Sequence, residues 1–126
     1  MKAVFSIHPR YVRLIFDGKK GCEYRRNLPV KPITDIVIYA TFPVSKVVGE
    51  ARVDGLLLLE KELLWQKTCG IGGITREEFE GYFCGKETAG ALLLSHPMVF
   101  DQPLPVSELG LVRPPQSFCY LGEKNE

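Results

Sequence analysis

Between Gly18 and Arg25 the chain reads Gly-Lys-Lys-Gly-Cys-Glu-Tyr-Arg, which sets two ammonium groups, a carboxylate and a guanidinium within one short stretch. These types suit an anionic ligand. Arg25 can offer a planar fork to a phosphate or carboxylate, Lys20 a mobile point charge, and Glu23 can orient either cation. They also suit catalysis, because a lysine whose pKa is lowered by neighbouring cations can act as a base or activate a nucleophile. By residue type alone, the plainer reading is a surface Glu23–Arg25 pair beside solvated lysines, which adds little stability.

Which of these holds depends on the elements that carry the four side chains. Lys2 to Ser6 is expected as a strand, and His8-Pro9 opens a helix, since proline suits the first helical position where no amide donor is needed. Tyr11, Val12, Leu14, Ile15 and Phe16 give that helix a wide apolar face, and Gly18 supplies its left-handed cap. Lys19 and Lys20 then emerge at a helix-to-strand turn. Glu23 and Arg25 are two apart on the expected strand Gly21 to Arg26, so they share a face roughly 6–7 Å apart. Lys20 has the opposite parity and joins them only if the turn at Gly21 redirects it.

The remaining pattern is mixed. Ile33 to Ala40 and Val47 to Asp54 read as strands, the second alternating Val47, Gly49, Ala51 and Val53 with a polar face. Helices are expected over Glu60 to Thr68 and Thr75 to Phe83, the latter opened by the capping-box spacing Thr75 to Glu78 and ended by Gly85. Ala89 to Ser95 and Met98 to Phe100 return to strand, and the chain closes through Pro114 to Tyr120. Short strands, few helices and many breakers give an α+β class, a small barrel or sheet with inserted helices, as one domain over 1–126 with a short tail at 122–126.

Composition narrows the partners. The net charge is only +1, yet residues 1–31 hold eight cations against two anions, +6, and the remainder is −5. Such a polarity supports a focused positive field rather than a broad basic surface. No apolar stretch approaches the ~20 residues of a membrane span, and His8-Pro9-Arg10 interrupts any secretory apolar region, so a cytoplasmic protein is expected. The four cysteines form no CxxC pair and the two histidines are far apart, so no metal site and no other cofactor is expected, and the thiols are read as small buried apolar groups.

The segment Gly18, Lys20, Glu23, Arg25 matches the pattern GxKxxExR and resembles the signature of the ASCH domain family. Ser6 to Tyr11, Ile38 to Pro43, Val47 to Glu50 and Pro115 to Tyr120 extend the resemblance over roughly residues 2–121, to the small stand-alone members of bacteria, archaea and phages. It implies a PUA-like fold, a small mixed β-barrel with flanking helices, and an RNA- or nucleotide-like ligand in a cleft beside the signature, with a transcription-related regulatory role. It also implies, for some members, metal-independent ribonuclease activity or hydrolysis of acylated pyrimidine nucleosides. Members with the latter activity can carry threonine where this chain has Glu23, a departure from that reaction.

With the resemblance, Ser6 and Ser117 become candidates for the cleft, Ser117 also as a catalytic hydroxyl beside Lys20. Ser6, at a strand-to-helix junction, can equally bond the backbone. Tyr39 and Thr41 share strand parity and can present two hydroxyls, although Tyr39 also fits a core position with its hydroxyl at the edge. Glu50, on the polar face of its strand, can support the cleft or form a cross-strand ladder. Phe42 and Phe118 lie outside the helices and suit base stacking, whereas Trp65, Phe79, Tyr82 and Phe83 have helical spacing and suit the core. His8 is better placed to start the helix than to act as a base, and His96-Pro97 is read as a strand break. Three function classes follow: an RNA- or nucleotide-binding module, a metal-independent hydrolase, and a protein-interaction domain in which the ionic cluster is structural.

Overall fold

Alternation of apolar and polar residues dictates strands with two different faces, and the sheet they build separates three apolar clusters. The computed structural model describes residues 1–122; the tail expected at 122–126 lies outside the described residues except for Gly122. In chain order the elements are β1 (Lys2–Ile7), α1 (Pro9–Phe16), β2 (Cys22–Arg25), β3 (Asp35–Ala40), β4 (Lys46–Glu60), α2 (Lys61–Thr68), α3 (Arg76–Tyr82), β5 (Thr88–Leu104), a 3-10 turn (Val106–Leu109) and β6 (Phe118–Leu121). The strands form one mixed sheet in the order β2-β5-β4-β3-β1-β6, parallel between β1 and β3 and antiparallel elsewhere.

Inside the curl of the sheet, Ala3, Phe5 and Ile7 of β1 and Ile36, Ile38 and Ala40 of β3 pack against Val12 and Ile15 of α1 and Leu92 of β5. The opposite parity, Val4, Val37 and Tyr39, faces outward under Phe100, Leu104 and the turn containing Val106 and Leu109. A third cluster, Cys22, Tyr24, Leu64, Phe79, Phe83, Ala89 and Ala91, docks α2 and α3 on the outer face of β2 and β5. The α+β, PUA-like description therefore holds, with β2 and β6 as the outermost strands of a curled sheet whose backbone ladder does not close.

The boundaries depart from the sequence pattern in two places. The expected strand at Val47 to Asp54 continues to Glu60 because Leu57 and Leu59 pack on the α2–α3 cluster while Leu56 and Leu58 face outward. A run of four leucines carries no visible period, so pairing with β5 decided it. Likewise His96-Pro97 does not end a strand. Glu50 pairs with Met98 and Arg52 with Ser95, leaving the two residues opposite Ala51 as a bulge in which His96 has φ 50. A further register shift between Val47 and Gly49 puts Val47 in the outer cluster and Ala51 in the inner one.

The cysteine expectation needs correcting. Cys22 is buried, but Cys69 and Cys84 are exposed, because they follow the last turns of α2 and α3 where the chain turns out to solvent. No helix among the described residues is long and apolar enough to cross a membrane.

Gly49 leaves no room for a side chain between β4 and β5: an added Cβ would collide with the Met98 carbonyl oxygen and lie 2.6 Å from Phe16 Cζ. Gly49→Ala is expected to cost ~1–3 kcal/mol in urea unfolding. Gly55→Ala, whose Cβ would sit 3.8 Å from Leu93 Cδ1, is expected to change stability by less than about 0.5 kcal/mol.

Candidate functional site

His8 caps α1, its Nδ1 accepting from the Arg10 amide at 3.1 Å, and Gly18 with φ 76 ends that helix. The chain then turns sharply: Gly21 donates to the Ile71 carbonyl at 2.7 Å and accepts from the Leu94 amide at 2.9 Å. That turn redirects Lys20 inward. Its ammonium donates to the Gly72 carbonyl at 2.6 Å and lies 5.1 Å from the ring centres of both Tyr11 and Tyr24. Only 3% of Lys20 is exposed, and burial lowers its pKa, a shift that the Glu23 carboxylate opposes.

Glu23 and Arg25 share a face of β2, as strand parity requires, and both are buried. Arg25 Nε and Nη2 donate to Glu23 Oε2 at 3.2 and 3.0 Å, and Nη2 also donates to the Ser6 carbonyl at 2.8 Å. Its Nη1 donates to Ser117 Oγ at 3.0 Å and to the Ser117 carbonyl at 3.4 Å. These contacts use all five guanidinium N–H groups. The phosphate fork expected of Arg25 is thus turned inward, and the reason is geometric: β1 and the segment before β6 surround it with carbonyls.

Glu23 is left asymmetric. Its Oε1 is buried with no hydrogen-bond partner, 3.9 Å from Lys20 Nζ, which is beyond hydrogen-bond length. A buried carboxylate oxygen without a donor is costly, and this one retains unused acceptor capacity. It borders a cavity of about 240 Å³ walled by Ser6, Ile7, His8 and Tyr11 on one side, Lys20, Glu23, Tyr24 and Arg25 at its base, and Ile74, Glu78 and Tyr82 of the α3 region on the other. The volume is below the ~300–1,000 Å³ of drug-sized sites, on the scale of one nucleobase or nucleoside.

No family model matches the chain. The ASCH domain-containing ribonuclease of Zymomonas mobilis is 32% identical over 126 aligned positions, which cover 95% of this chain and 84% of that protein. The chain belongs to the ASCH domain family. A crystal structure of ASCH from the same organism superposes with a TM-score of 0.88 at 31% identity, covering 97% of this chain and 88% of that one. The large ribosomal subunit protein uL22 of Ureaplasma parvum is 26% identical over 119 residues, 94% of this chain but 38% of that protein's length.

Within this ASCH domain, Lys20, Glu23, Arg25 and Ser6 meet at one cavity, although Ser6 turns its hydroxyl to the Pro115 carbonyl at 2.6 Å. Ser117 sits behind Arg25 rather than on the cavity wall. Four other candidates lie elsewhere. Tyr39 packs in the outer cluster with Val4 and Val47, because it pairs with Ser6 in register but the cavity opens at the end of β1 and not across β3. The Thr41 carbonyl accepts from the Val44 amide at 3.1 Å in the β3–β4 turn. Glu50 pairs with Lys2 at 2.9 Å, the cross-strand alternative. Phe118 stacks on Phe5 at 4.9 Å, and Phe5 in turn lies 5.0 Å under the Arg25 guanidinium, so it supports the site from behind.

The cavity also uses Tyr11 and Tyr82, which sequence pattern assigned to apolar faces, and Tyr24, to which it gave no role; the three supply aromatic walls. Tyr24 is fixed by its hydroxyl, 2.7 Å from Thr68 Oγ1, and burial raises its pKa. The clearest unread signal was Gly70-Ile71-Gly72-Gly73 between the two helices, because clustered glycines mark close backbone approach. Gly73 has φ 71, and its added Cβ would sit 3.1 Å from Lys20 Cβ.

Arg25→Ala leaves the buried Glu23 carboxylate without a hydrogen-bond donor, only the Lys20 ammonium remaining 3.9 Å away, and is expected to cost ~3–5 kcal/mol in chemical unfolding. Arg25→Lys is expected to recover little of this, since an ammonium cannot reproduce five planar donors. The double variant Glu23→Gln/Arg25→Ala is expected to be more stable than Arg25→Ala alone.

Proposed function

We propose that this ASCH domain is an RNA-binding module that takes one nucleotide of a strand into the Lys20–Glu23 cavity. The observation that carries the reading is the unpartnered Glu23 Oε1, buried beside the Lys20 ammonium in a cavity of nucleoside scale with tyrosine walls. In this reading Glu23 Oε1 accepts from a base N–H, Lys20 donates to an adjacent base or phosphate oxygen, and Tyr11, Tyr24 and Tyr82 provide stacking surface. Arg25 and Ser117 are positioning residues. The ribonuclease name of the Z. mobilis relative supports RNA as the polymer, and a transcription-related regulatory role is one use to which such a module can be put.

A second reading, metal-independent RNA cleavage, is favoured by the burial-lowered pKa of Lys20. A neutral lysine amine can accept the proton of an attacking hydroxyl, and Ser117 is a candidate hydroxyl held on Arg25 at 3.0 Å.

Fluorescence anisotropy with short labelled RNAs tests the first reading. Affinity is expected to fall with salt, and Lys20→Ala is expected to weaken binding about tenfold or more and to lower the salt slope by about one. Unchanged binding in Lys20→Ala, with Glu23→Ala merely destabilised, leaves the cluster structural. For the second reading, cleavage of the same RNAs is expected to persist in EDTA, to rise with pH along a limb centred below the ordinary lysine value of 10.5, and to disappear in Lys20→Ala.

A further inference from the structure

Two cations that the signature does not include rest on residues of the cavity wall. Glu78 and Tyr82 both line the cavity and stand four residues apart on α3, so they are adjacent on one helix face with Cβ atoms ~5–6 Å apart. Each holds an arginine. Arg10 donates from Nη1 and Nη2 to the two Glu78 carboxylate oxygens at 3.0 and 3.3 Å, and its guanidinium lies 5.2 Å from the Tyr11 ring centre. Arg26 lies 4.1 Å over the Tyr82 ring and donates from Nε to the Tyr82 carbonyl at 2.7 Å.

We propose that Arg10 and Arg26 form a two-point phosphate clamp beside this cavity, so that the cavity accepts a nucleotide flanked by phosphates on both sides in preference to a free nucleoside. The proposal rests on reading the cavity as a nucleotide site. Arg26 is ready for this role: its exposed Nη groups make no hydrogen bond among the described residues, while the tyrosine face and the Nε bond fix the orientation of the fork. Arg10 is releasable. Its pair with Glu78 is solvent-exposed and adds little stability, and Glu78 is held separately by the Thr75 amide at 2.9 Å in the capping box. A phosphate can therefore take Arg10 without moving Glu78. Two cations beside one cavity match the two phosphates that flank one nucleotide, and the remainder of the chain, at −5, does not compete for them.

Isothermal titration at low salt with the four nucleosides, the four nucleoside 3′,5′-bisphosphates and a five-nucleotide RNA tests the clamp. Bisphosphates are expected to bind more tightly than nucleosides. Arg10→Gln and Arg26→Gln are each expected to weaken bisphosphates and RNA about tenfold, the scale of one charge-assisted contact, and to lower the RNA salt slope by about one, with nucleoside affinity unchanged. Glu78→Gln is expected to tighten RNA binding by freeing Arg10. Wild-type bisphosphate affinity in both arginine variants, with loss in Lys20→Ala, overturns the clamp and leaves the cavity reading intact. Equal weakening of nucleosides and bisphosphates by the arginine variants also overturns it. Full binding in Lys20→Ala overturns both.

Discussion

The guanidinium of Arg25 is the tie on which the rest of the site depends. It stands on β2, one outer strand of the sheet, and bonds to Ser6 at the end of β1 and to Ser117 just before β6, beside the other outer strand. Backbone hydrogen bonds do not close the sheet, but this side chain joins its two edges. Five donors in one plane are needed to satisfy three segments at once, which an ammonium on a flexible stem cannot do. Phe5 beneath the guanidinium and Phe118 beneath Phe5 continue the tie into the core.

Closing the edges in this way has an electrostatic consequence. Arg25 occupies Glu23 Oε2 twice and turns Oε1 away toward Lys20, which is itself anchored on the Gly72 carbonyl. The Lys20 ammonium thus lies between a carboxylate and two tyrosine rings with little water, where opposite charge and desolvation act against each other. Such a group responds strongly to what fills the cavity beside it. A burial of this kind adds little to stability compared with an apolar replacement.

Charge distribution fits the same picture. The +6 of the first 31 residues divides between the site and the surface: Lys20 and Arg25 are buried at the cavity, Arg10 and Arg26 rest on tyrosines of its wall, and Lys2, Arg13, Lys19 and Lys31 are exposed. The four cations at and beside the cavity make the potential there positive, while the remainder of the chain carries −5.

Much of this was legible in the sequence. Pro9 and Gly18 bound α1, Thr75 and Glu78 form the capping box, and parity put Glu23 and Arg25 on one face, because each of these rests on contacts within a few residues. The family signature was legible too. What the sequence left open depended on partners distant in the chain. Pairing with β5 carried β4 through four leucines to Glu60, and a bulge opposite Ala51 let one strand absorb His96-Pro97. Lys20 turned inward only because Ile71 and Gly72, some fifty residues on, supply the carbonyls that receive Gly21 and its own ammonium. Local composition chose the groups for the chemistry, and tertiary packing chose which of their hydrogen-bonding atoms were left free for a ligand.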